Sequence, residues 1–345
     1  MMAAPPNSFE TEVKRLNLRH TWTTTMSSSE YRDVLYTRLT AGGITGHGEG
    51  APIVRYKESA VEGQKALEAV RSQITSLDPK QYSKALSDIF SKIEGQYAAK
   101  AALDIAVMDW VGQKLGVPVY ELLGLNPNDT PVTTFSIGMD KPEVVRQKVK
   151  EADPFPVLKV KVGLNTDEEM IQSVRSATKK PLRVDANEGW TDRDEAVRKI
   201  NWLESQGVQF IEQPMAADRL EDARYIRSKI HMPMFADEAC RHASDIPKLA
   251  TAYDGVNIKL DKSGGILEAI RMINVARACG LKVMLGCMIS SSVSCTAAAM
   301  ISPLVDYADL DGFLLISNDP FRGVRVENGK ILLPNAPGLG LKPAA

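Results

Sequence analysis

Residues 157 to 163 read VLKVKVG, and the fold prediction starts from this short stretch. Its apolar residues are typical of a buried β-strand, and the glycine at position 163 ends the run. Lys159 and Lys161 are two residues apart, so a strand directs both ammonium groups to the same face. Because adjacent like charges repel and gain nothing for folding, we expect a functional role for these lysines.

Similar β-rich segments recur from about residue 130 onward, with amphipathic stretches of helical periodicity between them. Strands that alternate with helices predict parallel βα units joined by right-handed crossovers. Eight strand candidates fit a (β/α)-barrel, a modified TIM barrel, better than an open doubly wound sheet. The candidates are VTTFSIG (132–138), VLKVKVG (157–163), LRVDAN (182–187), VQFIEQP (208–214), MPMFADE (232–238), GVNIKL (255–260), LKVMLGC (281–287) and DLDGFLLI (309–316).

The first part of the chain has an α+β pattern. LNLRHTW (16–22) and DVLYTRLTAGGITGHGEG (33–50) indicate an antiparallel meander, with GG and HG as tight turns, and two helical patterns follow. The tail from residue 321 predicts one more hairpin and a Gly/Pro coil. We therefore predict a capping domain over 1–128, completed by 318–345, and a catalytic barrel over 129–317.

The composition excludes several classes of protein. A chain of 345 residues that is 44% apolar can build a large core. A net charge of −1 and a pI near 6.5 argue against a nucleic-acid or membrane surface. Four cysteines without CxxC spacing are typical of a reduced cytosolic protein, and the start MMAAPPNSFETEVKR lacks the apolar core of a signal peptide. We expect a soluble, cytoplasmic protein without a membrane span, and the sequence allows a homo-oligomer.

Three acidic residues end successive predicted strands, where the catalytic groups of such barrels lie. Asp185, Glu212 and Asp237 are 27 and 25 residues apart, which is one βα unit each time. Converging carboxylates repel one another unless a cation lies between them, and an all-oxygen ligand set selects a hard ion such as Mg²⁺. Helix capping is the simple alternative for any one of the three. Helix capping does not readily explain three acidic residues that share the strand ends with the lysines.

Two further lysine positions complete the predicted site. Lys161 on the second strand and Lys259 on the sixth face each other across the barrel mouth, on opposite sides of a bound substrate. Burial near another cation lowers the pKa of an ammonium group and frees a base at neutral pH, and Lys159 and the metal supply that positive field. Surface lysines at strand ends are the alternative, which is common for one lysine but not for three that face three carboxylates.

Five motifs in order resemble the enolase superfamily, in its subgroup similar to muconate lactonizing enzyme, which has a lysine base on each face of the substrate. They are KVKVG (159–163), VDANEGW (184–190), IEQP (211–214), ADE (236–238) and NIKL (257–260). The resemblance covers nearly the whole chain, including the capping domain and its GHGEGAP segment.

This resemblance implies roles for individual residues. The acidic trio would bind Mg²⁺, Lys161 and Lys259 would be the acid/base pair, and Lys159 would help neutralise the substrate carboxylate. Glu238 would orient Lys259, with a helix cap as the alternative. The seventh strand end, LGCMISSS (285–292), has no histidine, which excludes the His–Asp dyad of the mandelate-racemase-like members. The four histidines are interpreted as structural.

The stretch ADLDG (308–312) bears on the substrate. Asp309 and Asp311 alternate onto one face at the end of the eighth strand, where two carboxylates can hold an ammonium group. The pair resembles the signature of dipeptide epimerases, which implies binding of the α-ammonium; solvated aspartates at a strand edge are the alternative. The same resemblance places Ser136 near the substrate carboxylate, and backbone groups around Cys287 and Ile289 at the peptide unit.

The side-chain preference is less constrained. In L-Ala-D/L-Glu epimerases a basic residue of the first capping loop pairs with the glutamate side chain, whereas TWTTTMSSSEYR (21–32) has Ser and Thr near Ser27. Arg55 in the second loop is either a replacement cation or simply exposed.

The sequence therefore predicts a Mg²⁺-dependent dipeptide epimerase, which transfers a proton at the α-carbon of the C-terminal residue through an enediolate. Within the same subgroup the alternatives are an N-acylamino acid racemase, an o-succinylbenzoate synthase or another cycloisomerase. The alternative from a different class is a non-catalytic barrel that binds a cationic peptide.

Overall fold

The structure, a computed structural model, describes residues 7–25 and 27–344. The predictions for the first six residues and for Met26 of the first capping loop lie outside the described residues, as does Ala345. No helix in the described ranges combines the length and the apolar character needed to cross a membrane.

Three antiparallel strands open the chain and confirm the predicted meander. They are β1 (Ser8–Thr23), β2 (Ser28–Ala41) and β3 (Ile44–Gly50), in the order β1-β2-β3. The GG turn between β2 and β3 is confirmed, since Gly42 and Gly43 have φ of +56° and +78°. The helices that follow are α1 (Ala60–Ala69), α2 (Arg71–Ser76), α3 (Tyr82–Phe90), α4 (Tyr97–Leu115) and α5 (Val119–Leu122).

The strand β3 packs directly on α4, the longest of these helices. The predicted turn at His47–Gly48 is wrong, because both residues lie inside β3. A Cβ on Gly48 would overlap the carbonyl oxygen of Ala102, and glycines 46 and 50 approach α4 as closely. The GxGxG pattern therefore serves the close approach of a strand to a helix, not a turn.

Eight parallel strands form the predicted barrel, in sequence order across the sheet. The strands are β4 (Phe135–Ile137), β5 (Leu158–Lys161), β6 (Leu182–Asp185), β7 (Val208–Glu212), β8 (Met234–Ala236), β9 (Gly255–Ile258), β10 (Lys282–Gly286) and β11 (Tyr307–Asp309). The helices between and after them are α6 (Pro142–Glu151), α7 (Asp167–Ala177), α8 (Arg193–Ser205), α9 (Leu220–Arg227), α10 (Ile246–Leu249), α11 (Leu260–Ser263), α12 (Ile266–Ala278) and α13 (Ser292–Ile301). An isolated parallel bridge between Thr133 and Ala308 joins the first and last strands, so the sheet is nearly closed.

The eighth strand differs from its prediction. It ends at Asp309, and the apolar residues that follow form a 3₁₀ turn over Gly312–Leu315 instead of a strand. The chain bends because the backbone N–H of Leu310 donates to Thr133 Oγ1 at 2.7 Å, and because Gly312 is pressed against the carbonyl of Met288. Asp309 therefore ends the strand and the next acidic residue lies just beyond it.

The tail forms the predicted hairpin and returns to the capping domain. Its strands are β12 (Phe321–Arg322), β13 (Arg325–Glu327), β14 (Lys330–Leu332) and β15 (Lys342–Pro343), with β13 antiparallel to β14. The backbone N–H of Leu339 donates to Asp109 Oδ1 in α4 at 2.7 Å. Such contacts support the assignment of 318–345 to the capping domain, although the domain boundaries stay a prediction.

Buried carboxylates of the capping domain hold it over the barrel. Glu49 in β3 accepts hydrogen bonds from the backbone N–H groups of Ser291 (2.8 Å) and Ser294 (3.1 Å) at the start of α13. Asp104 in α4 accepts one from the backbone N–H of Ile266 at 2.6 Å, at the start of α12. A carboxylate at a helix N-terminus satisfies unpaired donors and favours the helix dipole. The capping domain is thereby fixed above the barrel mouth.

Candidate active site

The three predicted carboxylates converge at the mouth of the barrel. Asp185 and Glu212 end β6 and β7 as register partners, and Asp237 follows the end of β8. One oxygen from each lies within 4.8 Å of the others, and none of the three side chains is more than 2% exposed. Consecutive parallel strands thus bring together residues that are one βα unit apart.

The trio fits a hard divalent cation. Glu212 accepts a hydrogen bond on Oε1 from Asn257 Nδ2 at 2.7 Å, but its buried Oε2 accepts none. Lys159 Nζ lies 2.8 Å from Oε2, outside hydrogen-bonding geometry. Burial and the charge of Asp185 hold the pKa of Glu212 well above its usual range. A buried, all-oxygen set with an unsatisfied acceptor is a donor set suited to Mg²⁺.

The two predicted bases each contact a member of the trio. Lys161 Nζ lies 2.6 Å from Asp185 Oδ2, and Lys259 Nζ lies 2.7 Å from Asp237 Oδ2. Burial lowers the pKa of Lys259, but Asp237 and the other carboxylates raise it by more than burial lowers it. The pKa of Lys259 therefore lies above the ordinary value. The lowered pKa expected from neighbouring cations is therefore not found for Lys259, because the carboxylates outweigh Lys159.

Lys159 is buried beneath the other charged groups. Its ammonium lies 2.6 Å from Asp309 Oδ2, 2.8 Å from Glu212 Oε2 and 3.2 Å from Asp185 Oδ2. It is not among the residues that line the cavity described below. Lys159 links the trio to the last strand, and its predicted contact with the substrate carboxylate stays a prediction.

Two residues that sequence reasoning missed complete the charged cluster. Lys262 in α11 donates to the backbone carbonyls of Asp237 (2.6 Å) and Asn257 (2.9 Å) and contacts the Asp237 carboxylate. Asn257 lies two residues before Lys259 on β9, so strand alternation could have identified it. Lys262 lies in a single helical turn after the strand, where alternation no longer applies.

The aspartate pair lies at the seam between β4 and β11. Asp309 accepts hydrogen bonds from Thr134 Oγ1 and Lys159 Nζ, both at 2.6 Å, and Asp311 accepts one from the backbone N–H of Ser136 at 2.6 Å. Among the described residues, no cation lies within ion-pair distance of Asp311. Burial and the charge of Asp309 raise the pKa of Asp311 to about 7. Asp311 is therefore the carboxylate that lacks a counter-charge.

A cavity of about 440 Å³ lies between the capping loops and the barrel mouth. None of the four histidines lines it. Nine of the predicted site residues do, namely Ser136, Lys161, Asp237, Glu238, Lys259, Cys287, Ile289, Asp309 and Asp311. The cavity brings both bases and both aspartates to one space.

Glu238 does not make the predicted contact. Its Oε1 accepts a hydrogen bond from Asn187 Nδ2 at 3.0 Å, whereas the hydrogen-bond partner of Lys259 is Asp237. Burial and the neighbouring Asp237 raise the pKa of Glu238 to about 8. Lys259 is thus oriented by a member of the trio rather than by Glu238.

Two family models together match most of the chain. The model for the mandelate racemase / muconate lactonizing enzyme N-terminal domain matches residues 10–124, and the model for the enolase C-terminal domain-like family matches residues 143–345. Both matches fall on the structural parts described above, the capping domain and the barrel with its tail.

Curated relatives and solved structures agree with these models. An L-Ala-D/L-Glu epimerase from Bacteroides thetaiotaomicron is 44% identical over 94% of this chain and 85% of its own length. A hydrophobic dipeptide epimerase from Roseobacter litoralis is 39% identical over 90% of this chain and 92% of its own. The substrate-liganded L-Ala-D/L-Glu epimerase of Bacillus subtilis superposes with a TM-score of 0.92, at 29% identity over 98% of this chain and 99% of that one. The dipeptide epimerase of Enterococcus faecalis complexed with Mg and L-Leu-L-Tyr superposes with a TM-score of 0.90, at 32% identity over 97% and 98%. The chain therefore belongs to the mandelate racemase and muconate lactonizing enzyme family of the enolase superfamily.

Proposed function

We propose that this protein is a Mg²⁺-dependent dipeptide epimerase that inverts the α-carbon of the C-terminal residue. One observation carries the proposal: a single cavity has a lysine at the end of the second barrel strand, a lysine directly after the sixth and an aspartate pair at the end of the last. Opposed bases suit proton transfer at a stereocentre, and the aspartates suit a free amino terminus. The curated relatives and the solved neighbours named above support the same activity.

The two lysines move the proton. In one direction a neutral Lys161 removes the α-proton and Lys259 delivers its own proton to the opposite face; in the other direction the roles exchange. Asp185, Glu212 and Asp237 would hold Mg²⁺, which supplies positive charge against the negative charge that develops on the substrate carboxylate. The proton count of the protein is restored when the lysines exchange protons with water.

The aspartate pair would bind the α-ammonium of the N-terminal residue. Asp309 already has Lys159 as a counter-charge, whereas Asp311 has none among the described residues. An ammonium group beside Asp311 would supply the missing positive charge and would donate hydrogen bonds to this buried carboxylate. Cys287 and Ile289 line the same cavity, which supports their predicted position at the peptide unit.

The substrate side chain would be acidic. Arg55, the replacement cation considered from the sequence, is paired with Glu188 at 2.6 Å and leaves no free charge. Arg32 on β2 also lines the cavity, and no carboxylate of residues 7–25 and 27–344 lies within ion-pair distance of its guanidinium. Burial without a carboxylate lowers the pKa of Arg32. A carboxylate on the substrate side chain would offset that desolvation.

A substitution pair tests the side-chain assignment. We expect the wild-type protein to prefer L-Ala-L-Glu over the neutral isostere L-Ala-L-Gln by about 10- to 100-fold in kcat/KM, because a charge-assisted hydrogen bond contributes about 1.5–3 kcal/mol. Arg32→Met should remove this preference, whereas Arg38→Met should keep it, since Arg38 pairs with Glu10 at 2.7 Å away from the cavity. An unchanged ratio in Arg32→Met, or a preference for L-Ala-L-Leu, would contradict an acidic side chain.

Proton exchange with solvent tests the epimerase itself. In D₂O, the wild-type protein should incorporate deuterium at the α-carbon of the C-terminal residue of both epimers, measured by NMR. Lys161→Ala and Lys259→Ala should each lose exchange on one epimer, and the two variants on opposite ones. Loss on the same epimer in both variants would refute the two-base assignment. Binding without any deuterium incorporation by the wild-type protein would favour the non-catalytic peptide-binding barrel.

A further inference from the structure

Two loops of the capping domain cover the cavity, and they reach it from different places in the chain. The first loop lies between β1 and β2 and contributes Thr24 and Ser27 to the lining. The second loop, residues 51–57 after β3, contributes Pro52 to Tyr56. A substrate in the cavity would lie between these loops and the barrel mouth, so the position of the loops determines how far it is exposed to solvent.

The two loops are bonded to two adjacent residues of the barrel, the first loop to Asn187 and the second to Glu188. Thr25 Oγ1 of the first loop donates to the backbone carbonyl of Asn187 at 2.7 Å. Arg55 of the second loop forms a bidentate ion pair with Glu188, with Nε 2.6 Å from Oε2 and Nη2 3.0 Å from Oε1. Asn187 and Glu188 lie just after β6, which ends at Asp185 of the carboxylate trio; Ala186 separates them from it.

This two-residue segment has a fixed and uncommon backbone conformation. Asn187 and Glu188 have φ of +42° and +63°, in the left-handed region that costs a non-glycine residue on the order of 1 kcal/mol. The backbone N–H of Asn187 donates to Asp185 Oδ1 at 2.9 Å, and that of Glu188 donates to the carbonyl of Gln213 at 2.9 Å. Glu188 Oε1 also accepts from the backbone N–H of Ala217 at 2.7 Å. The barrel thus holds the Glu188 carboxylate in place before Arg55 binds it.

The second loop has few other attachments. Val54 at its tip is 84% exposed, and the 3₁₀ turn Val54–Tyr56 contains no buried residue. Besides the ion pair, the loop is held at its two ends. The backbone N–H of Ala51 donates to Asp261 Oδ1 at 2.7 Å, the Tyr56 hydroxyl donates to the carbonyl of Glu238 at 3.2 Å, and the Tyr56 ring centroid lies 4.0 Å from the Arg241 guanidinium. The Arg55 side chain is 39% exposed and that of Glu188 is 9% exposed, so water reaches the ion pair from the loop side.

We propose that Glu188 is a positioning residue whose ion pair with Arg55 latches the second capping loop closed over the bound substrate. Asn187 anchors the first loop through Thr25, so one rigid segment next to Asp185 sets the position of both loops. The latch acts on binding and release, because the loop excludes water and encloses the substrate without touching the reacting α-carbon. This inference rests on the proposed function only in its kinetic test, which measures turnover of a dipeptide.

The kinetic test uses Glu188→Gln, which keeps the shape and an acceptor for Ala217 but removes the charge. The matched control is Asp33→Asn, which breaks the bidentate pair of Asp33 with Arg15 (2.9 and 3.0 Å) outside the cavity lining. We expect KM for the dipeptide to rise on the order of tenfold in Glu188→Gln, with kcat equal to wild type or higher. Arg55→Met should match it, and Arg55→Lys should lie between Arg55→Met and wild type.

A second measurement does not need turnover. Hydrogen–deuterium exchange of peptides that cover residues 51–58 should be faster in Glu188→Gln than in wild type, while Asp33→Asn should match wild type in that segment. Absence of turnover in the wild-type protein with faster exchange in Glu188→Gln would reject the proposed function and keep the latch. Unchanged exchange in Glu188→Gln, or KM within twofold of the Asp33→Asn value, would overturn the latch.

Discussion

Acetylation of the substrate amine is the perturbation that tests the aspartate pair most directly. An N-acetyl dipeptide keeps the peptide unit and both side chains but has no ammonium group to place beside Asp311. That carboxylate is 3% exposed, accepts a hydrogen bond from the backbone N–H of Ser136 at 2.6 Å, and has no cation within ion-pair distance among the described residues. Acetylation therefore leaves a buried carboxylate without the counter-charge that the free dipeptide brings.

The expected loss follows from the cost of that unpaired charge. A hydrogen bond to a charged group contributes about 1.5–3 kcal/mol, and breaking a buried ion pair from one side costs about 3–5 kcal/mol. Taking about 3 kcal/mol, kcat/KM should fall on the order of 100-fold for the N-acetyl dipeptide. The assay compares initial epimerisation rates of the free and acetylated forms by chiral chromatography at equal concentrations below KM.

Asp311→Asn isolates the charge in a double-mutant cycle. The asparagine can still accept from Ser136, so the fold around it is retained, and the circular dichroism spectrum should match that of the wild-type protein. Discrimination between the two substrates should shrink to tenfold or less in this variant. Asp309 is the wrong residue to change first, because it also holds Lys159 at 2.6 Å and Thr134 at 2.6 Å. Equal kcat/KM for the two substrates in the wild-type protein would refute the reasoning and favour the N-acylamino acid racemase alternative.

Four other predictions concern the metal ion, the pH dependence and the packing of β3 on α4. Turnover should require Mg²⁺ and be lost with EDTA or in Asp237→Ala; activity of a metal-free Asp237→Ala sample would contradict the carboxylate trio as ligands. Because the pKa of Asp311 is raised to about 7, the carboxylate is protonated below that pH, so kcat/KM for a free-amine dipeptide should fall below about pH 7 and this limb should vanish in Asp311→Asn. Because the folded protein holds the Asp311 proton more tightly than the unfolded chain, the free energy of unfolding of the substrate-free protein falls as pH rises through about 7. The ammonium group of the substrate pairs with the ionised carboxylate, so substrate should raise the melting temperature more at pH 8 than at pH 6. Gly48→Ala should destabilise the protein by about 3 kcal/mol in chemical denaturation, because its Cβ overlaps the Ala102 carbonyl; a midpoint equal to wild type would show that β3 and α4 can separate.

The sequence was most informative where the structure is periodic. Asp185, Glu212 and Asp237 were found because parallel strands end at one edge of the sheet, so a spacing of one βα unit predicts proximity. The same rule predicts that Lys161 and Lys259 lie at the barrel mouth. Sequence reasoning failed where a non-local contact overrides the local pattern: the FLLI run looks like a strand, but Thr133 and Met288 bend the chain before it.

Contacts between distant segments were also beyond the sequence. Arg55 and Glu188 are 133 residues apart, and nothing in either motif indicates that they meet. Lys262 could not be found by strand alternation, because α11 begins directly after Lys259 and turns its side chain back toward Asp237. The turn prediction at His47–Gly48 is wrong because the requirement for glycine at position 48 is set by the backbone of Ala102 in α4, which lies 54 residues downstream.

The charge balance of the completed site distinguishes the candidate substrates. Six carboxylates and four ammonium groups cluster at the barrel mouth, a formal net charge of −2, which one divalent cation offsets. Arg32 of the cavity wall lies outside this cluster and would pair with the acidic side chain proposed above. The carboxylates are Asp185, Glu212, Asp237, Glu238, Asp309 and Asp311, and the ammonium groups are those of Lys159, Lys161, Lys259 and Lys262. The backbone of a free dipeptide brings one ammonium and one carboxylate and leaves this balance unchanged. An N-acylamino acid would add a carboxylate without a cation and would leave Asp311 unpaired, so the same residues that select Mg²⁺ also favour a substrate with a free amino terminus.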